Sequence, residues 1–475
     1  MTSPIILWLR QDLRLIDHPA LCAAAEQGPI LFLYVLDDET PGEWRLGGAS
    51  RWWLHRSLES LGKPVPLVLR RGKADDVIAQ VLVETGATAV HFTRDYAPWS
   101  DGLERRVKAA CDDAGATCHR HKGFLLHEPE AIRTGQGEPY KVYTPFSKAC
   151  LATGEPREPR PAPKFKCWDG EVSSDALADW ELLPQKPNWA EHFEAAWTPG
   201  EAGARQRLAG FIDDGLEFYA DDRDRPDRDV TSRLSPHLHF GEISPVQCWH
   251  AVRAAQAKAN GKLDRAVEKF LKEVLWREFS YHLLHHWPTL PEKPFRPEFG
   301  NFPWSDNPDA LAGWQKGRTG YPIVDAGMRE LWATGIMHNR VRMIVASFLI
   351  KDLLIPWVDG ERWFWDTLVD ADIGNNAASW QWVAGCGADA APYFRVFNPV
   401  LQGEKFDTKG DYVRKWVPEL AKLPAEHIHL PWAAPSSVLK AAGVELGNNY
   451  PHPVVDHAQA RDRALAAYQE IKGTA

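Results

Sequence analysis

Over the first 130 residues, apolar runs of strand length recur between segments of helix length, and after residue 200 they do not return. The runs are Ile5–Leu9, Ile30–Leu36, Val65–Leu69 and Ala89–Thr93. The segments between and after them are Pro19–Gln27, Ser50–Leu61, Ala74–Glu84 and Gly102–Ala114. Continuous β-branched runs spaced by helices of this length predict βαβ units around a buried parallel sheet. Residues 1–130 are therefore expected to form a doubly wound, Rossmann-like α/β domain. The class alone does not name a ligand. The turn after the first run reads Arg10-Gln11-Asp12-Leu13-Arg14, with no GxGxxG, and no GxxxxGK[ST] occurs in the chain. The dinucleotide fingerprint and the P-loop are thus both excluded.

Residues 131–200 read as a long interdomain linker. Within them GEPREPRPAPKF (154–165) carries four prolines and suits neither a helix nor a central strand. From residue 201 to 475 the spacing of apolar residues is helical. The segments are Glu201–Asp214, Ser244–Asn260, Asp264–His286, Tyr321–Thr334, His338–Leu354, Glu361–Leu368 and His457–Ile471. The expected architecture is an α/β domain followed by a larger all-α domain.

Lys plus Arg number 55 and Asp plus Glu 64, giving −9, so a nucleic-acid partner would have to meet a local basic patch. The seven cysteines form no CxxC pair, which fits a reducing compartment. The N-terminus has too short an apolar run for a secretory signal, and the run Met343–Ile350 stops at Lys351-Asp352, short of a membrane span. A soluble cytoplasmic protein is expected, associated with the nucleoid when bound to DNA. The 22 Trp, more than half of them after residue 240, suit an aromatic ligand, stacked bases or electron transfer, although any single indole is more often core.

Four segments could carry chemistry. Thr231-Ser232-Arg233-Leu234-Ser235 offers hydroxyls, a guanidinium and backbone N–H groups to a phosphate, or else caps the helix that follows. In Phe270–Ser280, the residues Glu273, Trp276, Arg277 and Ser280 share one helical face. His282 and His286 follow at i, i+4, but without a third ligand of convincing spacing, so no metal site is expected. Asn339, Arg342 and Met343 share another face, where a carboxamide can read the edge of a base. Asp370 to Trp382 is the densest segment: two acids, three carboxamides and two Trp among Gly374, Ala377, Ala378 and Ser379. Burying so many polar groups gains no packing, which marks a site.

Read together, TSRLSP, WREF, TGYPIVDAGMR, MHNRVRM and WQWVAG, in this order, resemble the photolyase/cryptochrome family over nearly the whole chain. The resemblance implies an antenna-type α/β domain, a helical FAD-binding domain, and light-driven repair of cyclobutane pyrimidine dimers in DNA. The chain is expected to be a monomer that takes UV-damaged DNA as its partner. Tyr219 and Thr231, Ser232, Arg233, Leu234 and Ser235 would hold the phosphate and ribose region of FAD. Asp370 and Asp372 would face the flavin, with Arg342 pairing to Asp370, and Asn376 would touch its central-ring nitrogen. Glu273, Trp276, Asn339, Met343 and Trp382 would surround the flipped-out dimer, with Ser280 on the same helical face as Glu273 and Trp276. Arg223, Arg277, Arg340 and Gln402 would contact DNA nearby. Trp380, Trp357 and Trp304 match the chain of indoles that photoreduces the flavin. Asn376 and Asn339 favour dimer repair over the alternative, a cryptochrome-type photoreceptor without repair. The segment Ser50-Arg-Trp-Trp-Leu-His-Arg-Ser57 resembles class III photolyases and plant cryptochromes. It implies a methenyltetrahydrofolate antenna, with a deazaflavin as the alternative.

Overall fold

The computed structural model describes residues 3–390 and 394–472. Strands β1 (Ile5–Leu9), β2 (Ile30–Leu36), β3 (Leu67–Arg71), β4 (Ala89–Thr93) and β5 (Thr117–His121) form one parallel sheet in the order β3-β2-β1-β4-β5. Helices α1 (Pro19–Ala25), α2 (Gly48–Leu61), α3 (Ala74–Thr85) and α4 (Ser100–Asp113) separate the strands. The register sets Ile5 opposite Ile30 on one side and Ala89 on the other. Strands β1, β2 and β4 are buried along their whole length, which is why they read as unbroken apolar runs. Alternate residues Ile6, Trp8, Leu31, Leu33, Val90 and Phe92 form one core with Val77, Val81, Leu103 and Val107 of α3 and α4. Each such side chain taken from water contributes about 1.5–3 kcal/mol.

The two edge strands differ from expectation. Strand β3 begins at Leu67, two residues after the expected Val65, because Pro66 has no N–H to give to the ladder. Strand β5 was not expected at all. Its sequence, Thr117-Cys-His-Arg-His121, is partly exposed along its length, so it carries no apolar run.

Helices dominate the rest. The helix Asp264–His286 has the expected bounds. The segments expected at 201–214 and 338–354 begin as helices Glu201–Gly210 and Asn339–Ser347, and each then passes into one wider π-type turn, Phe211–Gly215 and Phe348–Asp352. Several helices were not foreseen, among them Pro308–Gln315, Pro399–Phe406, Asp411–Trp416 and Ser436–Ala442, and two others bear on the site. Tyr143–Ala152 lies inside the stretch read as linker; Tyr143, Phe146, Ser147 and Cys150 are buried at helical spacing, and Pro145 sits in the first turn, where its missing N–H costs nothing. Ile373–Ala384 is the dense polar segment itself. The proline-rich stretch 154–165 is neither helix nor strand, and the residues beyond it flank β2: Ile30 N–H donates to Lys166 O and Trp168 N–H to Ile30 O, both 2.8 Å.

The chain divides into two compact units, and the division does not follow the sequence. The first comprises Met1–Glu217, Ser232–Pro288 and Val369–Gly374; the second comprises Phe218–Thr231, Thr289–Leu368 and Asn375–Ala475. Among the described residues no helix is long and apolar enough to cross a membrane.

Candidate functional site

In the first unit the candidate residues gather on the helix Asp264–His286. Glu273 and Trp276 are half-buried on one stripe, and Ser280 Oγ donates to Trp276 O at 3.1 Å. Tyr143 lies flat on Trp276, with ring centroids 3.6 Å apart and planes 6° from parallel. Arg277 turns away from this stripe. It is buried, donates to Phe124 O at 3.0 Å and lies over the Phe124 ring at 4.3 Å, so the structure separates it from Glu273 and Trp276.

One turn further, Tyr281 Oη donates to Asp372 at 2.5 Å, and His239 Nδ1 stands 3.5 Å from the same carboxylate. Burial alone would raise the Asp372 carboxyl. His239, the Arg277 charge and the Tyr281 hydroxyl outweigh it and hold the group down at about 2. Asp372 is therefore a buried carboxylate, ionised at any ordinary pH, and able to accept from N–H donors. Asp370 is buried as well. Ser232 to Ser235 run into the short helix Ser235–His239. Arg233 adopts a left-handed backbone, φ +48°, which costs a non-glycine residue energy and is concentrated at ligand-binding turns. Its neighbour Leu234 is buried, while Ser232 is half-buried and Ser235 exposed.

In the second unit Asn376 and Trp380 lie one turn apart on Ile373–Ala384 and are both buried. Asn376 Nδ2 donates to Glu361 O at 3.0 Å, which fixes the carboxamide and leaves one amide hydrogen and the carbonyl oxygen to act. Trp380 meets Phe364 edge-on at 5.0 Å and Trp314 at 6.3 Å. Gly360 makes room for it: a Cβ there would stand 2.2 Å from Trp380 Cη2. Exposure rises along the expected electron path, with Trp380 at 2%, Trp357 at 4% and Trp304 partly open. Trp382 is half-buried, and its Nε1 donates to Asp389 O at 3.1 Å.

The same unit holds the remaining candidate residues, with Asp224 beside both Arg223 and Arg340. Asn339 is exposed at the start of its helix, which is N-capped by His338. Arg340 pairs with Asp224 at 3.0 Å, lies over the Phe406 ring at 4.4 Å and points Nη1 at Met343 Sδ, 3.7 Å away. Gln402 is one turn before Phe406 on the helix Pro399–Phe406. Arg223 lies over the Tyr219 ring at 5.3 Å. Arg342 donates through Nε to Met337 O at 2.8 Å. Thr231 is partly exposed.

Taken unit by unit, these groups suit parts of a flavin dinucleotide. The first offers an ionised buried carboxylate to ring N–H groups and partly exposed serines beside a left-handed turn to phosphates. The second offers a fixed carboxamide that can both donate to and accept from a ring atom. Sequence reasoning did not single out Tyr281, His239, Glu361 or Tyr143. For Tyr281 and Tyr143 the helical spacing from Arg277 and to Phe146 was the signal available. Among the described residues no group of three or more His, Cys, Asp or Glu is placed to hold a metal ion.

The α/β sheet has its own sites. In a sheet of this order ligands favour the crevice beyond the C-terminal ends of β1 and β4. Here Arg10 occupies that position, bonded to Glu104 at 2.7 Å and Asp95 at 3.0 Å. A cavity of about 510 Å³ lies to one side, lined by Glu39, Thr40, Lys73, Asp76 and Trp99 among others. Trp52 and Trp53 of the segment 50–57 are core residues; Trp53 Nε1 donates to Glu242 at 3.0 Å.

Comparison with known proteins bears on the whole chain. Residues 5–164 match the family described as DNA photolyase, and residues 270–470 match the FAD binding domain of DNA photolyase. The deoxyribodipyrimidine photo-lyase of Agrobacterium fabrum is 50% identical, over 100% of this chain and 99% of its own. Cryptochrome-1 of Arabidopsis thaliana is 39% identical over 98% of this chain and 70% of its own. The crystal structure of a bacterial class III photolyase from Agrobacterium tumefaciens superposes with a TM-score of 0.95 at 50% identity, over 100% of this chain and 98% of that one.

Proposed function

Because the chain belongs to the DNA photolyase and cryptochrome family, we propose that it repairs cyclobutane pyrimidine dimers in DNA with light. The observation that carries this reading is Asn376, buried and fixed by Glu361 O with an N–H and a C=O still to offer. A carboxamide can bond a flavin ring nitrogen with or without its proton, whereas an ionised carboxylate can only accept. A site that must hold the flavin both oxidised, with a bare ring nitrogen, and fully reduced, with a protonated one, is served by the former.

In this reading Tyr219 and Thr231 to Ser235 hold the phosphate and ribose region of FAD. Asp370 and Asp372 accept N–H groups of the ring system, and Arg342 pairs with Asp370. Reduced FAD, when bound, supplies the photoexcited electron that opens the cyclobutane ring. Glu273 bonds the pyrimidine edge, and Trp276, Asn339, Met343 and Trp382 enclose the extruded dimer. Extrusion is cheapest for a damaged, already unstacked base. Arg223, Arg340 and Gln402 reach the phosphates alongside. Arg277, buried against Phe124, we assign instead to the neighbourhood of Asp372. Trp304, Trp357 and Trp380 pass an electron inward and keep the cofactor reduced.

For the antenna we favour methenyltetrahydrofolate over a deazaflavin. Glu39 and Asp76 in the 510 Å³ cavity can accept from the amino and ring N–H groups of a pterin, with Trp99 as a flat wall. A folate mass released on denaturation supports this, and a deazaflavin mass overturns it.

The main reading is tested by illuminating chemically reduced protein with DNA carrying cyclobutane thymine dimers. Recovery of the monomer absorbance is expected, with (6-4) lesions left intact. A flavin-loaded protein that leaves both lesions unrepaired is a photoreceptor instead.

A further inference from the structure

The stack of Tyr143 on Trp276 is unusual in kind. Aromatic pairs prefer offset or edge-to-face arrangements, because the negative faces of two π-systems repel in a direct sandwich. A centroid distance of 3.6 Å at 6° leaves almost no offset. Other contacts must hold it. Tyr143 Oη donates to Lys272 O at 2.7 Å, one turn back on the helix that bears Trp276. The Phe279 ring stands edge-on to both partners, 5.9 Å from each. Phe146, one turn along from Tyr143, packs on Phe279 in turn at 5.2 Å. Tyr143 is buried and Trp276 is only half-buried. One indole face is thus covered by a fixed ring, and only the other can receive a ligand.

We propose that Tyr143 is a positioning residue for the lesion: it locks the Trp276 indole in the plane that a flipped pyrimidine dimer stacks against and restricts stacking to a single face. The proposal rests on the repair reading, in which Trp276 touches the dimer. Tyr143 itself touches no substrate. It acts by sparing Trp276 the rotamer freedom that would otherwise be lost when the dimer docks.

The test compares Tyr143→Leu, Tyr143→Phe and Trp276→Ala in the flavin-loaded protein. For each, the dissociation constant is measured in the dark at one salt concentration, for a duplex with one thymine dimer and for the same duplex undamaged. Flavin absorbance per protein reports folding. Trp276→Ala should collapse the preference for damaged DNA. Tyr143→Leu should lower that preference about two- to twelve-fold, the worth of one immobilised side chain. Tyr143→Phe restores the ring and should recover most of the loss. Adding Tyr143→Leu to Trp276→Ala should cost nothing further. If Trp276→Ala keeps the preference, the repair reading of Trp276 fails. If Trp276→Ala loses it and Tyr143→Leu does not, or if Tyr143→Leu weakens both DNAs equally, the positioning role fails. Should the Leu variant lose its flavin, Tyr143→Met, of similar reach and without a ring, puts the same question.

Discussion

The helices Asp264–His286 and Ile373–Ala384 both carry proposed site residues, and they are built on opposite terms. The first is long and made of bulky side chains. Its buried face holds Phe270, Leu271, Leu275, Phe279 and Tyr281, and it sequesters one carboxyl, Glu278, among them. The second is short and made of small ones. Gly374, Ala377 and Ala378 space out Asn376, Trp380 and Trp382, and the volume around Trp380 is filled from other segments by Trp314 and Phe364. The bulky helix packs its ligand-facing ring partly with its own Phe279 and partly with Tyr143 from outside, whereas the small-residue helix borrows the rings around Trp380 from other segments and is sensitive to what surrounds it.

The sharpest break between the two is electron transfer against stacking. Trp380→Phe keeps most of the ring volume, so the fold should hold. Photoreduction of the oxidised flavin should fall to a small fraction of the wild-type rate, while chemically reduced protein repairs almost normally. Unchanged photoreduction would mean that another aromatic path carries the electron.

Glu278 probes the bulky helix. Burial pushes its carboxyl up to about 7, against the pull of Arg277 and of the His127 and Leu126 N–H groups. Between its ordinary value near 4.5 and about 7 the folded chain keeps a proton that the unfolded chain has lost, so raising the pH favours unfolding. Urea titrations of wild type and Glu278→Gln between roughly pH 4.5 and 8 should diverge by about 3 kcal/mol, with wild type losing ground as pH rises. A wild type that gains on the variant over this interval contradicts the assignment.

Gly360→Ala probes the borrowed packing. The added Cβ would fall 2.2 Å from Trp380 and 2.7 Å from Leu349, so thermal melts should show a loss of about 1–3 kcal/mol. The same substitution at a solvent-facing helical glycine would be stabilising. If Gly360→Ala is neutral, Trp380 is less tightly set than the contacts imply. Trp276→Ala, comparable in size, should act only on binding. Stacking worth about 1–3 kcal/mol corresponds to roughly a five- to 150-fold loss for damaged DNA, with photoreduction unaffected.

What could be read in advance follows the same divide. The bounds of β1, β2, β4 and Asp264–His286 were legible because burial of large apolar residues writes a period into the sequence. Strand β5, with His119 and Arg120, and the helix Ile373–Ala384, with its Asn and Gly, write none. For the candidate site, motif order proposed residues such as Asp372 and Asn376 but not what holds them in the fold. Tyr281 reaches Asp372 across 91 residues, Asn376 leans on the backbone of Glu361, and Gly360 admits Trp380. Arg277 shows the limit of helical-face arithmetic: it shares a face with Trp276 by count, yet its long stem carries the guanidinium inward to Phe124.

The scattered membership of the first unit bears on how the protein is made. Its last segment, Val369–Gly374, leaves the ribosome only after residue 374 of 475 has been added, long after the sheet is complete. Until then Tyr281 and His239 lack Asp372, the carboxylate that both meet in the folded chain. Closing that gap late in synthesis is a contact of high sequence separation, the kind that sets the pace of folding. Nascent chains released short of residue 372 should therefore be unusually susceptible to proteases around the helix Asp264–His286, while the sheet stays protected.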